Sequence, residues 1–547
     1  MGLDARAARG IGAFYAAAPL DPRNPFPSNR LRRPDGTIDL PDGFTARGVP
    51  AAPRLEGVRS FLVGLDGRDE EHTGFSASTS VVVQFDGPIK LEKVAGAIRL
   101  IEVPAPDAAL LAGDLAALPA LLGTRGLRAE DLATATVFTV EPLAGQLAQV
   151  REQIVQRAAA VPPVVDFSDP DPSDTRRFGI YHPNDPDFAT FFAGTPPASV
   201  GLVARGSFPS PDYRENGRFP ARFLEGSDTP PGVSLDFLLA TPAGPPPAGG
   251  CPTVILQHGF GGDNAFVTDN AADFTAAGLA VIGIPAPEHG PRGTSFLDFF
   301  VFDDFNAFGN NFRQASVDLF QLVRLIETGI DVTGDAEPDL DASRLGYLGV
   351  SMGGVIGATF CAVEPTSGAC VLNVPGGKLA QFAGSVSSLA TPFLTSFADE
   401  AGIPARTCNG VPTGTACTSD AACSSSERCL FSDDFVLMLD AALPSFQWQL
   451  DPGDGINYVA ALRFGPGGPR PLLVQEGIGD VIVANPLTEA LGRGAGLAVD
   501  RADAASTGVA GLWRFPPPGG HGIFAQPAVR AQAIAFLVSG GTILPAP

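Results

Sequence analysis

The chain is poor in lysine, tyrosine, tryptophan, methionine and histidine. Its lysines are Lys90, Lys93 and Lys378, against 33 arginines, and its 547 residues include 5 Tyr, 2 Trp, 3 Met and 5 His. The arginine bias reads as GC-rich coding. Basic charge is scarce too: 59 acidic against 36 basic side chains give a formal charge of −23. A surface of that sign repels phosphate backbones, which argues against a nucleic-acid partner. It equally disfavours charge-driven docking on anionic lipid. No apolar run reaches about 18 residues, so no transmembrane segment is expected. There is no phosphate loop, no G-x-G-x-x-G after a strand and no metal-ligand set, so neither a cofactor nor a metal is expected. What remains is a chain that can take a neutral or cationic small molecule, or an apolar surface. Nothing in the sequence speaks to oligomeric state.

An apolar fraction of 45% fills a sizeable core, and the length calls for two or three domains. Residues 1–165 read as a Pro-rich lead followed by a β-rich domain. Its strand candidates are SVVVQFDGPI (80–89), AIRLIEVP (97–104) and ATVFTVEPL (135–143), the last running into an amphipathic helix, LAGQLAQVREQIVQRAAA. Short strands at this spacing suggest a small sandwich of immunoglobulin-like type. Residues 166–197, dense in Asp and Pro, read as a linker. From 198 to 547 the rhythm becomes strand, loop, helix, with eight strand candidates: VGLVARGSF, VSLDFLLATP, CPTVILQHG, AVIGIPAPEHG, RLGYLGVSMGG, ACVLNVPGG, PLLVQEGIGD and GLWRFPPPGGHG. That pattern predicts an α/β domain with an eight-stranded, mostly parallel sheet.

Cysteine usage points to export. Cys408, Cys417, Cys423 and Cys429 lie in a polar insert, 408–429, short of core-forming residues. Such a segment needs cross-links to hold a shape, and four cysteines allow three pairings. Zinc is the rival reading, but C-x-x-C spacing is missing and no histidine lies nearby. Cys361 and Cys370 are a further candidate pair, which leaves Cys251 as a buried thiol. The expected location is secreted or cell-surface, with the Met-Gly start standing where a signal or lipoprotein anchor has been removed.

Gly349-Val350-Ser351-Met352-Gly353-Gly354 holds the chain's only G-x-S-x-G, after a buried-strand run and before a small-residue helix. That context marks a nucleophile elbow, where the turn is too sharp for large flanking side chains. A serine hydroxyl needs a base, and the base needs an orienting group. Among the histidines only His521, in Pro518-Gly519-Gly520-His521-Gly522, follows the last strand. Asp480 ends the seventh strand's loop, with Glu476 as a rival nearer the strand. The order Ser351, Asp480, His521 is the one this fold uses. Two amides are needed for a tetrahedral oxyanion: that of Met352, after the serine, and that of Phe260, in His258-Gly259-Phe260-Gly261-Gly262. His258 reads as a loop anchor.

Together, HGFGG, GVSMGG, GIGD and GGHG resemble the α/β-hydrolase superfamily over about 350 residues. DPRNPFPSNRL, DGTIDLPDGF and STSVVVQFDGPI, with IPAPEHGPRG, NNFRQASVDL and LDPGDGINY, are similar to secreted bacterial lipases and esterases of the virulence-factor lipase type, in which an Ig-like segment precedes the hydrolase. The resemblance implies a carboxylic-ester hydrolase working through an acyl-enzyme. The cysteine-rich insert departs from that pattern and leaves the substrate open.

Phe296, Phe299, Phe300, Phe302, Phe305, Phe308 and Phe312 crowd one stretch after the fourth strand. They read both as a buried cap and as an apolar substrate wall. His289 at the start of that loop, Phe296, Phe299, Phe300 and Trp448 are the substrate-site candidates. Competing readings are a polyester hydrolase, an acyltransferase or peptidase with the same triad, and a surface binding protein on a hydrolase scaffold.

Overall fold

The protein was analysed as a computed structural model, which describes residues 38, 40, 44–63, 141–169, 176–301, 304–384, 391–465, 469–498, 501–505 and 508–544. The strand candidates at 80–89 and 97–104, most of that at 135–143, and Phe302 lie outside the described residues, and with them the Ig-like expectation. The chain divides into two compact units, residues 1–141 with 388–449 and residues 142–387 with 450–547.

The described residues contain twelve strands: β1 (Gly179–Tyr181), β2 (Val200–Pro211), β3 (Gly232–Pro242), β4 (Cys251–Gln257), β5 (Ala280–Gly283), β6 (Leu340–Val350), β7 (Ser367–Asn373), β8 (Arg406–Cys408), β9 (Cys429–Phe431), β10 (Leu472–Gly477), β11 (Arg501–Ala505) and β12 (Gly508–Phe515). Ten of them form one mixed, α/β-hydrolase-like sheet in the second unit, in the order β1-β2-β3-β5-β4-β6-β7-β10-β12-β11. The six strands from β5 to β12 in that order are parallel. The flanking pairs β1–β2, β2–β3, β3–β5 and β11–β12 are antiparallel. All eight strands read from the sequence form, and the sheet has ten because short β1 and β11 extend its edges. Those two carry too little apolar alternation to be legible.

The central strands are buried on both sides, every residue of β5 and β10 included, as expected of parallel strands covered by helices on both faces. One face packs under Val267, Ala271 and Phe274 of the helix Phe266–Ala276 and Val529, Ala533 and Phe536 of the helix Pro527–Val538. Phe188 and Phe191 join the same core. The Asp/Pro-rich stretch expected as a linker thus supplies β1 and two buried rings, because its aromatic residues outweigh its turn-forming composition.

Elsewhere in this unit the helix Leu143–Ala160 buries Leu147, Val150 and Ile154 along one stripe. Its Arg151 meets the fully buried Glu364 at 3.0 Å, and Arg324 reaches the same carboxylate at 3.0 Å. Arg470 Nη1 donates to the Glu364 carbonyl oxygen at 2.7 Å, and burial pushes its guanidinium down to about 10. These arginines converge on the residue that caps the helix following Ser351. No helix among the described residues is long and apolar enough to cross a membrane.

In the first unit, the helix Glu56–Val63 places Phe61 against Phe397, with ring centroids 5.4 Å apart. Thr45 and Ser445 share a buried hydrogen bond of 2.8 Å, and Arg54 pairs with Asp434. β8 and β9 form an antiparallel hairpin. It is clasped by Cys408–Cys423 and Cys417–Cys429, and in the other unit Cys361 pairs with Cys370. Cys408, Cys417 and Cys423 are the one metal-type cluster among the described residues, and all three are consumed in disulfides. Cys251 is a buried thiol.

Candidate active site

β6 passes into the helix Met352–Val363 through Ser351 alone. Ser351 takes φ 56°, ψ −116°, a left-handed conformation that is strained for a residue with a side chain, by about 1–3 kcal/mol. Two features hold it there. The Ser351 amide donates to the Asn373 carbonyl oxygen at 2.8 Å. The turn also presses against its surroundings so closely that a Cβ on Gly349 would strike the Gly353 carbonyl, and one on Gly353 would strike the carbonyls of Gln257 and His258. Small residues at these positions are a steric necessity.

His521 lies on the turn Gly520–Ala525 after β12. Its Nε2 is 2.8 Å from Ser351 Oγ and its Nδ1 2.8 Å from Asp480 Oδ2. The other Asp480 oxygen, Oδ1, accepts from the amides of Ile482 and Val483 at 2.8 and 2.9 Å. Both carboxylate oxygens are therefore engaged, an arrangement that suits the tautomer in which Nδ1 donates to Asp480 and Nε2 faces the serine hydroxyl. The structure thus brings together the three residues expected in sequence. The rival acid, Glu476, points elsewhere: Arg514 Nε donates to its Oε2 at 2.8 Å. Burial raises the Glu476 carboxyl, and Arg514 opposes that shift.

The loop after β4 stands directly over the elbow. A Cβ on Gly259 would lie 3.3 Å from Ser351 Cβ. Phe260, whose amide is an expected oxyanion donor, follows it. The Met352 amide is at the first position of its helix, where N–H groups have no acceptor within the helix. His258 is buried; its Nδ1 donates to Gly259 O at 2.7 Å and its Nε2 accepts from the Ala286 amide at 3.0 Å. Burial pushes its imidazole down to about 4, so it is neutral and clamps the loop to the chain after β5.

The five substrate-site candidates separate by exposure. Phe296 is 44% exposed, while Phe299, His289 and Trp448 are completely buried. Phe300 is half-buried and lies 4.3 Å, centroid to centroid, from the Phe260 ring. Phe299 is the inner support of that cluster, in edge contact with Phe312 and His289. His289 is held through Nδ1 to Pro287 O at 2.8 Å, and burial lowers its pKa. Trp448 belongs to the interior of the helix Asp433–Leu450 and presents no surface to a substrate. Arg292, at the same loop, is tied to the buried Asp318 at 2.7 Å.

Sequence reasoning missed a buried polar relay beneath the site. Asn373 Nδ2 donates to Gln475 Oε1 at 3.0 Å, and Gln475 Nε2 reaches both Val529 O and Gln532 Oε1 at 2.9 Å. Its signal was an amide residue following an apolar run in each of two strands, ACVLN and LLVQ. It missed as well two exposed apolar residues flanking the acid, Ile478 and Val481, 41% and 73% exposed.

No family model and no curated protein matches the chain. Among solved structures, acetyl xylan esterase 1 from Thermoanaerobacterium sp. is 12% identical and aligns over 72% of this chain and 93% of its own, with a TM-score of 0.41. An acetyl xylan esterase from Paenibacillus sp. is 12% identical over 71% and 94%, with a TM-score of 0.40. A Pyrococcus furiosus esterase is 14% identical over 57% and 89%, with a TM-score of 0.33.

Proposed function

We propose that the protein is a serine hydrolase that cleaves carboxylic esters through an acyl-enzyme. The observation that carries this reading is the unbroken chain from Ser351 Oγ through His521 to Asp480, with both links at 2.8 Å, on a strained elbow. Ser351 Oγ attacks the ester carbonyl as His521 Nε2 takes its proton. The imidazolium, stabilised by Asp480, returns that proton to the leaving alkoxide. Water then repeats the cycle on the acyl-serine, with His521 as base. The Met352 and Phe260 amides receive the oxyanion at each tetrahedral stage, a contribution of about 10²–10³ in rate per donor. The half-buried and exposed rings Phe300 and Phe296, together with Ile478 and Val481, favour an apolar ester, lipid or polyester included. We assign the protein to an oxidising, secreted or cell-surface location, a placement supported by its three disulfides. Turnover of 4-nitrophenyl butyrate by wild type and Ser351→Ala tests the reading. A loss of about 10⁴-fold or more is expected, and retained turnover contradicts it.

A further inference from the structure

Most ring contacts beside the elbow run edge toward face, and a tilted pair, Phe260 and Phe300 at 54°, joins the buried rings to the outer ones. Phe299 meets Phe300 at 89°, Phe308 at 80° and Phe312 at 88°, and Phe300 meets Phe308 at 73°. Phe260 meets Phe296 at 81°, with centroids 5.0 Å apart. Edge toward face is the arrangement that ring quadrupoles favour over and above the area they bury. Phe299, Phe308 and Phe312 are buried, but the series runs out at Phe296, on the turn Phe296–Phe299. That ring leaves 44% of its residue's surface open and lies 3.8 Å from where a Gly261 Cβ would stand. Gly261 belongs to the same five-residue loop as Gly259, which abuts Ser351. The open end of the series is therefore attached to the loop that faces the nucleophile, and Phe260 contributes its amide to the oxyanion and its ring to the wall.

Resting on the ester-hydrolase reading, we propose that Phe296 and Phe260 form a subsite for an aromatic ring carried by the ester, so that the preferred substrates are neutral aryl esters. A saturated ring of the same size buries a similar area but offers no quadrupole to continue the series. The ring is a binding group only, and the bonds made and broken remain those of ester hydrolysis. The formal charge of −23 disfavours free aryl carboxylates at long range.

Two matched pairs test this in a pH-stat with the full-length protein: methyl benzoate against methyl cyclohexanecarboxylate, and phenyl acetate against cyclohexyl acetate. Each rate is normalised to the ester's own hydroxide-catalysed rate. At least one pair is expected to favour the aromatic member by about two- to tenfold in kcat/KM, the range one favourable ring contact supplies, and the favoured pair says whether the ring sits on the acyl or the alcohol side. Phe296→Leu keeps an apolar side chain at an exposed position and is expected to bring that ratio close to one. Ratios near one for both pairs in the wild type, or a ratio unmoved by Phe296→Leu, overturn the subsite. If Ser351→Ala is inactive on all four esters while the ratios stay at one, the subsite falls and the hydrolase reading stands. If Ser351→Ala remains active, that reading falls with it.

Discussion

Asp480 and Glu476 are both buried acids near the end of β10, yet only one is free to orient a histidine. Glu476 pairs with Arg514, which also reaches Glu489. Asp480 is held by two amides on one oxygen and gives the other to His521. Asp480→Asn should therefore lower kcat by about 10³–10⁴ with KM little changed, since the amide favours the wrong tautomer. Glu476→Gln should lower kcat less than about tenfold and act mainly on stability. Steady-state kinetics of the two variants separate these outcomes. His258 supplies a pH test. Its folded value, about 4, lies below the ordinary 6.5. Between those values the unfolded chain binds more protons, so stability falls as pH drops through that window, by roughly 3 kcal/mol. The apparent melting temperature followed from pH 7 to 4 should decline less in His258→Gln, which retains an acceptor for the Ala286 amide.

At the scale of elements, the catalytic geometry depends on three strand ends and one helix start being held in register. Asn373 belongs to β7 and its carbonyl fixes the Ser351 amide; Gln475 belongs to the strand leading to Asp480; Val529 and Gln532 lie in the helix after the His521 turn. One buried amide relay thus joins the supports of all three triad members. Gln475→Leu removes three buried hydrogen bonds, to Asn373 Nδ2, Val529 O and Gln532 Oε1, each worth about 0.5–1.5 kcal/mol. It is expected to lower the melting temperature and to reduce kcat by about tenfold or more with KM retained. A kcat unchanged in the folded variant would show the relay to be structural only. This relay was not legible in sequence because its partners are 102 and 57 residues apart. The triad was legible because each member sits in a Gly-bracketed turn at a strand end, and chain order assigns the roles. The aromatic cluster could be located from spacing, but not which rings face outward: Phe299 and Phe296 differ only in how the turn between them is seated. Trp448 failed as a wall candidate because proximity to a loop in sequence says nothing about which face of a helix is buried.

For the whole molecule, the sheet and the cysteine-rich insert rest on different physics. The ten-stranded sheet has a large apolar core. The hairpin β8–β9 has little and relies on Cys408–Cys423 and Cys417–Cys429, which close loops of 15 and 12 residues. Loops of that length are worth about 3 kcal/mol each in the chain-entropy account. Replacing Cys408 and Cys423 by serine should therefore make residues 408–429 sensitive to limited proteolysis, read by mass spectrometry, while ester turnover persists. Loss of turnover would tie the insert to the chemistry. Six of the eight legible strands of the sheet could be read because buried parallel strands are continuous apolar runs, and β2 and β3, though antiparallel, are long and carry buried apolar runs. Its edge strands could not, because three to five residues paired at an edge carry no such signature.

The central claim is that Ser351 is a nucleophile activated by His521. Its most direct test is intact-protein and peptide mass spectrometry after treatment with a fluorophosphonate. The account predicts one adduct per chain, on the peptide carrying Ser351, formed slowly or not at all in His521→Ala and absent in Ser351→Ala. An unmodified Ser351 in the wild type, or equal labelling of wild type and Ser351→Ala, would contradict it.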